Sequence, residues 1–177
     1  MTIMDLIMKR KSVRQFTDQE VSDEDVKFCL EAARWAPSGT NKQSWHFIVI
    51  RNKETQEKIA KLMPWAKYNK FAPIAIACLA NTKSIWHLLD VSIATEHLVL
   101  AAAERGLGTC WSAVYGINKP PDFQNRIMTI LGVPEELQDK YIVVTITPLG
   151  HPAEGGTIKT KRKELEKIYS LEKFELK

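Results

Sequence analysis

The stretch from Leu88 to Arg105 constrains this chain more than any other, because its apolar residues follow helical spacing without keeping to one face. Val91, Ala94, Leu98, Ala101 and Ala102 mark one stripe, while Ile93, Val99, Leu100 and Ala103 spread around the rest. A helix that is apolar on most sides is buried on most sides. It must therefore lie against a sheet, a partner subunit, or both. Gly106 follows as a natural C-cap. With 177 residues, 45% of them hydrophobic, the chain has enough material to build that core within one globular domain.

The surrounding segments alternate in type. Ser22-Asp23-Glu24-Asp25 resembles a capping box with Asp in the place of Glu, and Val26, Cys29, Leu30 and Ala33 then run helically until Pro37. Ala36 to Gln43 is a polar loop. Trp45 to Ile50 and Ile74 to Leu79 are near-continuous apolar runs of buried-strand type, and Lys53 to Met63 is an amphipathic helix with Ile59 and Leu62 turned inward. Thr109 to Ala113 reads as a short strand, Pro120 to Leu131 as a helix closed by Gly132, and Lys140 to Leu149 as a strand. Beyond Gly150 the chain turns polar, with a short basic helix expected around Lys161 to Tyr169. The class is α/β or mixed α+β, and pattern alone favours a doubly wound parallel sheet. The dinucleotide fingerprint is missing: Gly106-Leu107-Gly108 follows a helix, and Trp111 stands where the third glycine belongs.

Several chemistries lack support. No apolar run reaches the roughly 18 to 20 residues of a membrane span, so no membrane partner is expected. The start has no basic segment ahead of an apolar one, and Cys29, Cys78 and Cys110 form no CxxC, so a reducing cytoplasm is the expected setting. The net charge of +4 is too small and too dispersed for a nucleic-acid partner. His87, Asp90 and His97 lie along one helix, but no HExxH pattern supports a metal site, and hydrogen-bonded histidines are the expectation. There is no Gly-x-Ser-x-Gly elbow, and Cys110 in an apolar strand reads as a packed thiol. No acid, base or nucleophile stands out. A cofactor that carries the reaction fits such a chain.

Arg10-Lys11-Ser12-Val13-Arg14 supplies what remains. It follows a short apolar helix containing Ile3, Met4, Leu6, Ile7 and Met8. In extended backbone, alternate residues share a side, so Arg10, Ser12 and Arg14 converge. Forked guanidinium groups plus a hydroxyl suit a phosphate or other polar anion. The competing reading is a solvated basic helix end.

Arg10 to Phe16 resembles the amino-terminal signature of the nitroreductase family of FMN-dependent oxidoreductases. Ala36-Pro37-Ser38-Gly39-Thr40-Asn41-Lys42-Gln43-Ser44-Trp45-His46-Phe47 is similar to its second and more specific signature. Gly106 to Trp111, Leu131 to Glu136, and Leu149-Gly150-His151-Pro152 resemble later landmarks, in the family's order. The resemblance runs from about Asp5 to Arg162. It implies one domain over 1–177, a three-layer fold with a central mixed sheet flanked by helices, and an intertwined homodimer in which residues 160–177 form an arm toward the partner. On the sheet it overrides the pattern-based reading.

The resemblance also implies FMN as cofactor, NADH or NADPH as transient reductant, and a small-molecule acceptor. Hydride would pass through flavin N5 to a nitroaromatic, quinone or similar compound by a ping-pong mechanism. The alternatives are a dehalogenase or flavin-cleaving enzyme of the same fold, and a low-turnover flavin-binding protein. Matched by position, Arg10 and Ser12 hold the FMN phosphate, and Arg14 faces the flavin N1/O2 edge. Pro37, Ser38 and Gly39 line the partner's flavin with Asn41 nearby. Ser112-Ala113-Val114 runs along the N5 side, and Arg162 with Lys161 closes on the phosphate. Lys11 is counted with the phosphate group; for Lys11 and Lys161 simple solvation is the competing reading. Ser44 replaces a frequent family proline, which is expected to alter only the loop entry. Glu164 replaces a common proline in the tail. Met63 to Phe71, on the family's substrate side, matches poorly.

Overall fold

The computed structural model describes residues 2–116, 120–155 and 160–174. Helices α1 (Ile3–Lys9) and α2 (Asp23–Arg34) come first, followed by strand β1 (Trp45–Ile50) and helix α3 (Lys53–Leu62). Next are β2 (Ile74–Asn81), α4 (His87–Glu104), β3 (Gly108–Thr109), α5 (Phe123–Ile130) and β4 (Tyr141–Gly150). The four strands form one sheet in the order β1-β2-β4-β3, and every pairing between them is antiparallel.

That corrects the parallel sheet favoured by pattern. The error came from β2, whose residues are buried on both faces. Ile74, Ile76, Cys78 and Ala80 pack with α2 and α4, through Val26, Cys29, Val91, Ala94 and Leu98. Ala75, Ala77 and Leu79 pack on the other face with Ile59, Met63, Ile127 and Met128. A strand covered on both sides loses the apolar–polar alternation of an ordinary antiparallel strand and reads like a parallel one. The three layers are thus α2 with α4, the sheet, and α3 with α5. Parallel pairing, expected from a mixed sheet, is confined among the described residues to a single bridge between Ser12 and Thr109.

The long apolar helix occupies its expected place. α4 buries Val91, Ala94, Leu98, Ala101 and Ala102 completely or nearly so. Leu89 and Ile93 stay substantially exposed on its outer side, as do Ile85 and Trp86 just before it. The basic helix expected at 161–169 is not there: one 3-10 turn, Leu165–Lys167, takes its place. Its residues bury nothing, and a short helix without a packed face is marginal in water. The strand expected over 109–113 is also shorter, ending at Thr109, with Ala113 returning as an isolated bridge to Thr145. Residues 175–177 of the expected arm lie outside the described residues. No helix among the described residues is long and apolar enough to cross a membrane.

Candidate functional site

The basic segment is extended, and it is docked. α1 is opened by a Thr2–Asp5 capping box, and the Arg10 N–H still donates to Leu6 O at 3.0 Å, after which Arg10 itself turns to ψ 127. Val13 N–H donates to Thr109 O at 2.8 Å, and Thr17 N–H to His151 O at 2.9 Å, so the segment lies along β3 and the end of β4. Val13 is the inward residue at 3% exposure. Its docking depends on Gly108, since a Cβ there would sit 2.8 Å from three Val13 side-chain atoms. With Val13 turned in, Ser12 is half-buried and Arg14 is exposed, as alternation requires. Arg10 Nε stands 3.8 Å from Glu96 of α4, and the Arg14 guanidinium lies over the Tyr68 ring at 5.5 Å from its centroid. Lys11 is exposed.

Opposite Arg14 runs the Ser112–Tyr115 segment, positioned by an irregularity in β4. Cys78 pairs with Thr145 and Leu79 with Val143, leaving Val144 as the extra residue of a bulge. The Val144 carbonyl accepts from Val114 N–H at 2.9 Å and from Tyr115 N–H at 3.2 Å, and Ile146 N–H donates to Ser112 O at 3.0 Å. With both neighbours bonded to β4, the Ala113 peptide groups point away from it. The Ala113 carbonyl accepts from Trp65 Nε1, while its N–H has no hydrogen-bond partner among the described residues.

Tyr68 joins the two sides. Its hydroxyl accepts from Ser112 Oγ at 3.1 Å and from Cys110 Sγ at 3.3 Å. Burial, and then the Cys110 hydrogen bond, raise its pKa, so the phenol stays protonated. Asn69 Nδ2 donates to Ser112 Oγ and to Ala66 O, and Asn69 Oδ1 is buried with no hydrogen-bond partner among the described residues. These residues sit in the 64–71 3-10 run, within the stretch that resembles the family's pattern poorly. A tyrosine and an asparagine in such a run were the only available signal.

The Pro37–Asn41 loop is built differently. Gly39 N–H donates to Asp90 Oδ1 at 3.0 Å, Ser44 Oγ to Oδ2 at 2.9 Å and Ser84 Oγ to Oδ2 at 3.4 Å. Asp90 is 3% exposed and lies in the first turn of α4, where the helix dipole favours a carboxylate. Sequence reasoning weighed Asp90 only as a metal ligand. His87 Nδ1 contacts Ser84 O and His97 Nδ1 contacts Ala32 O, and no group of three or more metal-ligating side chains that could hold an ion occurs among the described residues. Ser44 does more than alter the loop entry, because its hydroxyl completes the Asp90 clamp. Thr40, Asn41 and Gln43 adopt φ of 52°, 55° and 47°, left-handed positions that L-residues rarely accept, while Lys42 between them is right-handed. The Gln43 N–H bond to Ser38 Oγ helps hold the loop.

Arg10, Ser12 and Arg14 therefore run along the β3 end of the sheet, Arg10 reaching Glu96 of α4 and Arg14 reaching Tyr68, which is bonded to Ser112. Pro37, Ser38, Gly39 and Asn41 gather elsewhere. The two groups touch α4 at Glu96 and Asp90 respectively. Those positions are six residues apart, about 9 Å along the axis and about 120° apart around it. Lys161 and Arg162 are exposed, and the Arg162 hydrogen bonds are local, to Thr160 Oγ1 and the Lys161 carbonyl. No hydrogen bond or ion pair among the described residues joins these groups to one another.

A model of the Nitroreductase family matches residues 7–69 and 70–151. A relative from Methanothermobacter thermautotrophicus, provisionally named NADH dehydrogenase/NAD(P)H nitroreductase, is 36% identical over 159 residues, covering 87% of this chain and 79% of the relative. An iodotyrosine deiodinase from Thermotoga neapolitana is 27% identical over 175 residues, covering 85% of this chain and 88% of the relative. Among solved structures, an FMN-dependent nitroreductase from Clostridium difficile superposes with a TM-score of 0.86 at 29% identity, covering 97% of this chain and all of the other.

Proposed function

The chain belongs to the nitroreductase family, and from that membership and the geometry above we propose an FMN-dependent NAD(P)H oxidoreductase that reduces nitroaromatics, quinones or similar small acceptors. The observation that carries this reading is the pairing of a docked Arg10–Ser12–Arg14 array with the unpartnered Ala113 N–H, the two joined through Tyr68. The array supplies donors for a phosphate, and the wall supplies a donor for an acceptor atom in a planar ring.

FMN, when bound, supplies two-electron chemistry at N5. The residues of this chain do the rest. Arg10 and Ser12 donate to the phosphate, with Lys11 adding charge. Arg14, lying over Tyr68, would bring its positive charge to the N1/O2 edge. A cation there favours negative charge that develops on reduction, so it acts on reactivity as well as binding. The Ala113 N–H, held by the Val144 bulge, donates toward N5 beside Ser112. Pro37, Ser38, Gly39 and Asn41 line the flavin of a second protomer.

That last assignment makes a homodimer part of the proposal. It is supported by the separation of the two residue groups on α4 and by apolar surface left uncovered. Ile85, Leu89 and Ile93 are exposed near the start of α4, and Leu165, Ile168, Leu171 and Phe174 along the tail. We take 1–177 as one domain, with 160–177 as the arm that brings Lys161 and Arg162 to the partner's phosphate. A reducing cytoplasm suits the three free cysteines.

The acceptor and the order of events are tested together by initial rates. With NADH or NADPH varied at several nitroaromatic or quinone concentrations, parallel double-reciprocal lines are expected. Intersecting lines with both ligands bound at once contradict the shared-pocket, ping-pong reading.

A further inference from the structure

Next to the Arg14–Tyr68 stack lies an open cavity of about 670 Å3 whose lining, Arg14 and Tyr68 apart, has no role above. That volume is within the range of small-molecule sites. Arg14, Lys53, Lys67 and Lys70 bring four cations to its lining, against one carboxylate, Asp18. None of the four forms an ion pair among the described residues. Uncompensated like charges around one concavity repel each other, and an entering anion relieves that repulsion.

The same walls carry aromatic rings. Phe16, Tyr68 and Phe71 line the cavity, and Phe71 is 54% exposed. Arg14 lies over Tyr68, and Lys70 Nζ lies 5.2 Å from the Phe71 ring centroid. Such contacts hold the charged ends along the wall instead of releasing them to bulk water. Lys53 is tethered as well, donating to Ala72 O at 2.7 Å.

We propose that this cavity binds an anionic aromatic group, a planar ring carrying a carboxylate or phosphate, beside the flavin edge. The inference deepens the proposed function, on which it rests through Arg14. Two ligands of the reaction have this chemistry: an aromatic acid as electron acceptor, and the adenosine-phosphate end of the nicotinamide dinucleotide.

The experiment uses the FMN-loaded enzyme and a Lys67→Gln/Lys70→Gln variant. It compares 4-nitrobenzoate with its neutral counterpart 4-nitrobenzamide, and NADPH with NADH. A rise of about fivefold in KM for nitrobenzoate, with nitrobenzamide unchanged, identifies the acceptor as the anion's source. A rise confined to the dinucleotides identifies the reductant and equally supports an anion site. Unchanged KM values for all four, or a loss of FMN affinity in the variant, overturn the inference. Calorimetric titration of nitrobenzoate into both proteins is run in parallel. If the loaded wild type is not reduced by either nicotinamide, the proposed function fails, and this titration still decides whether the cavity takes the anion.

Discussion

The Asp90 carboxylate accepts a hydrogen bond from the Gly39 backbone N–H at 3.0 Å, tying the first turn of the buried helix to a loop 51 residues upstream. Ser44 and Ser84 donate to its other oxygen. One buried acid thus fixes the loop that the proposal sends to the partner's flavin. Asp90→Ala removes a charged acceptor and strands its donors, which costs about 3 kcal/mol. The denaturant midpoint should fall accordingly, with Asp90→Asn in between, and FMN affinity should fall in both.

Gly39 is required by packing. A Cβ at this position would lie 2.1 Å from Trp86 Cδ1. Gly39→Ala must therefore displace the half-exposed indole, at a cost of about 1–3 kcal/mol. Trp86→Ala should remove most of that penalty. The double-mutant cycle checks it: strong coupling is expected, and additive effects would mean the clash is relieved in some other way.

Arg14 and Arg162 are expected to act differently on the flavin. Arg162→Ala should weaken FMN binding by about 10- to 150-fold, the equivalent of one charge-assisted hydrogen bond. Arg14→Ala should instead lower the flavin midpoint potential and slow reduction by NAD(P)H even with FMN saturating. Redox titration and the rate of the reductive half-reaction decide between them. If Arg14→Ala keeps the original potential and rate, Arg14 is only an anchor.

Two thiols link stability to alkaline pH. Burial pushes Cys78 to about 12, and burial together with the Asp25 charge does the same for Cys29, against an ordinary value of 9.0. The folded state therefore keeps both protons where the unfolded chain loses them. The contribution is complete below pH 9 and is lost as pH rises toward 12. Urea midpoints should decline from pH 9 upward, and less steeply in a Cys29→Ala/Cys78→Ala variant. In the native protein neither thiol should react with Ellman's reagent.

Much of this architecture was legible in the sequence because local signals and packing agree. The Ser22 cap, the Trp45–Ile50 strand and the all-round apolar helix appear where the residues put them. The extended course of Arg10–Arg14 was legible too, since alternation turns Val13 inward and leaves Arg14 outward. Strand direction was not, because β2 is buried on both faces. The Asp90 clamp was hidden for a different reason. An acid on an apolar helix announces a need for partners without naming them, and Gly39, Ser44 and Ser84 reach it only after folding. The same holds for Tyr68 and Asn69, whose roles depend on the bulge at Val144 in a strand far along the chain.

The central claim is that this chain binds FMN and passes electrons from a nicotinamide through it. The most direct measurement is an anaerobic visible-absorbance titration of the purified protein with NADH and with NADPH, followed by identification of the flavin released on denaturation. A yellow protein that is bleached by at least one nicotinamide and releases FMN is the predicted result. A colourless protein that takes up no added FMN, or a bound flavin that neither nicotinamide bleaches, would contradict it.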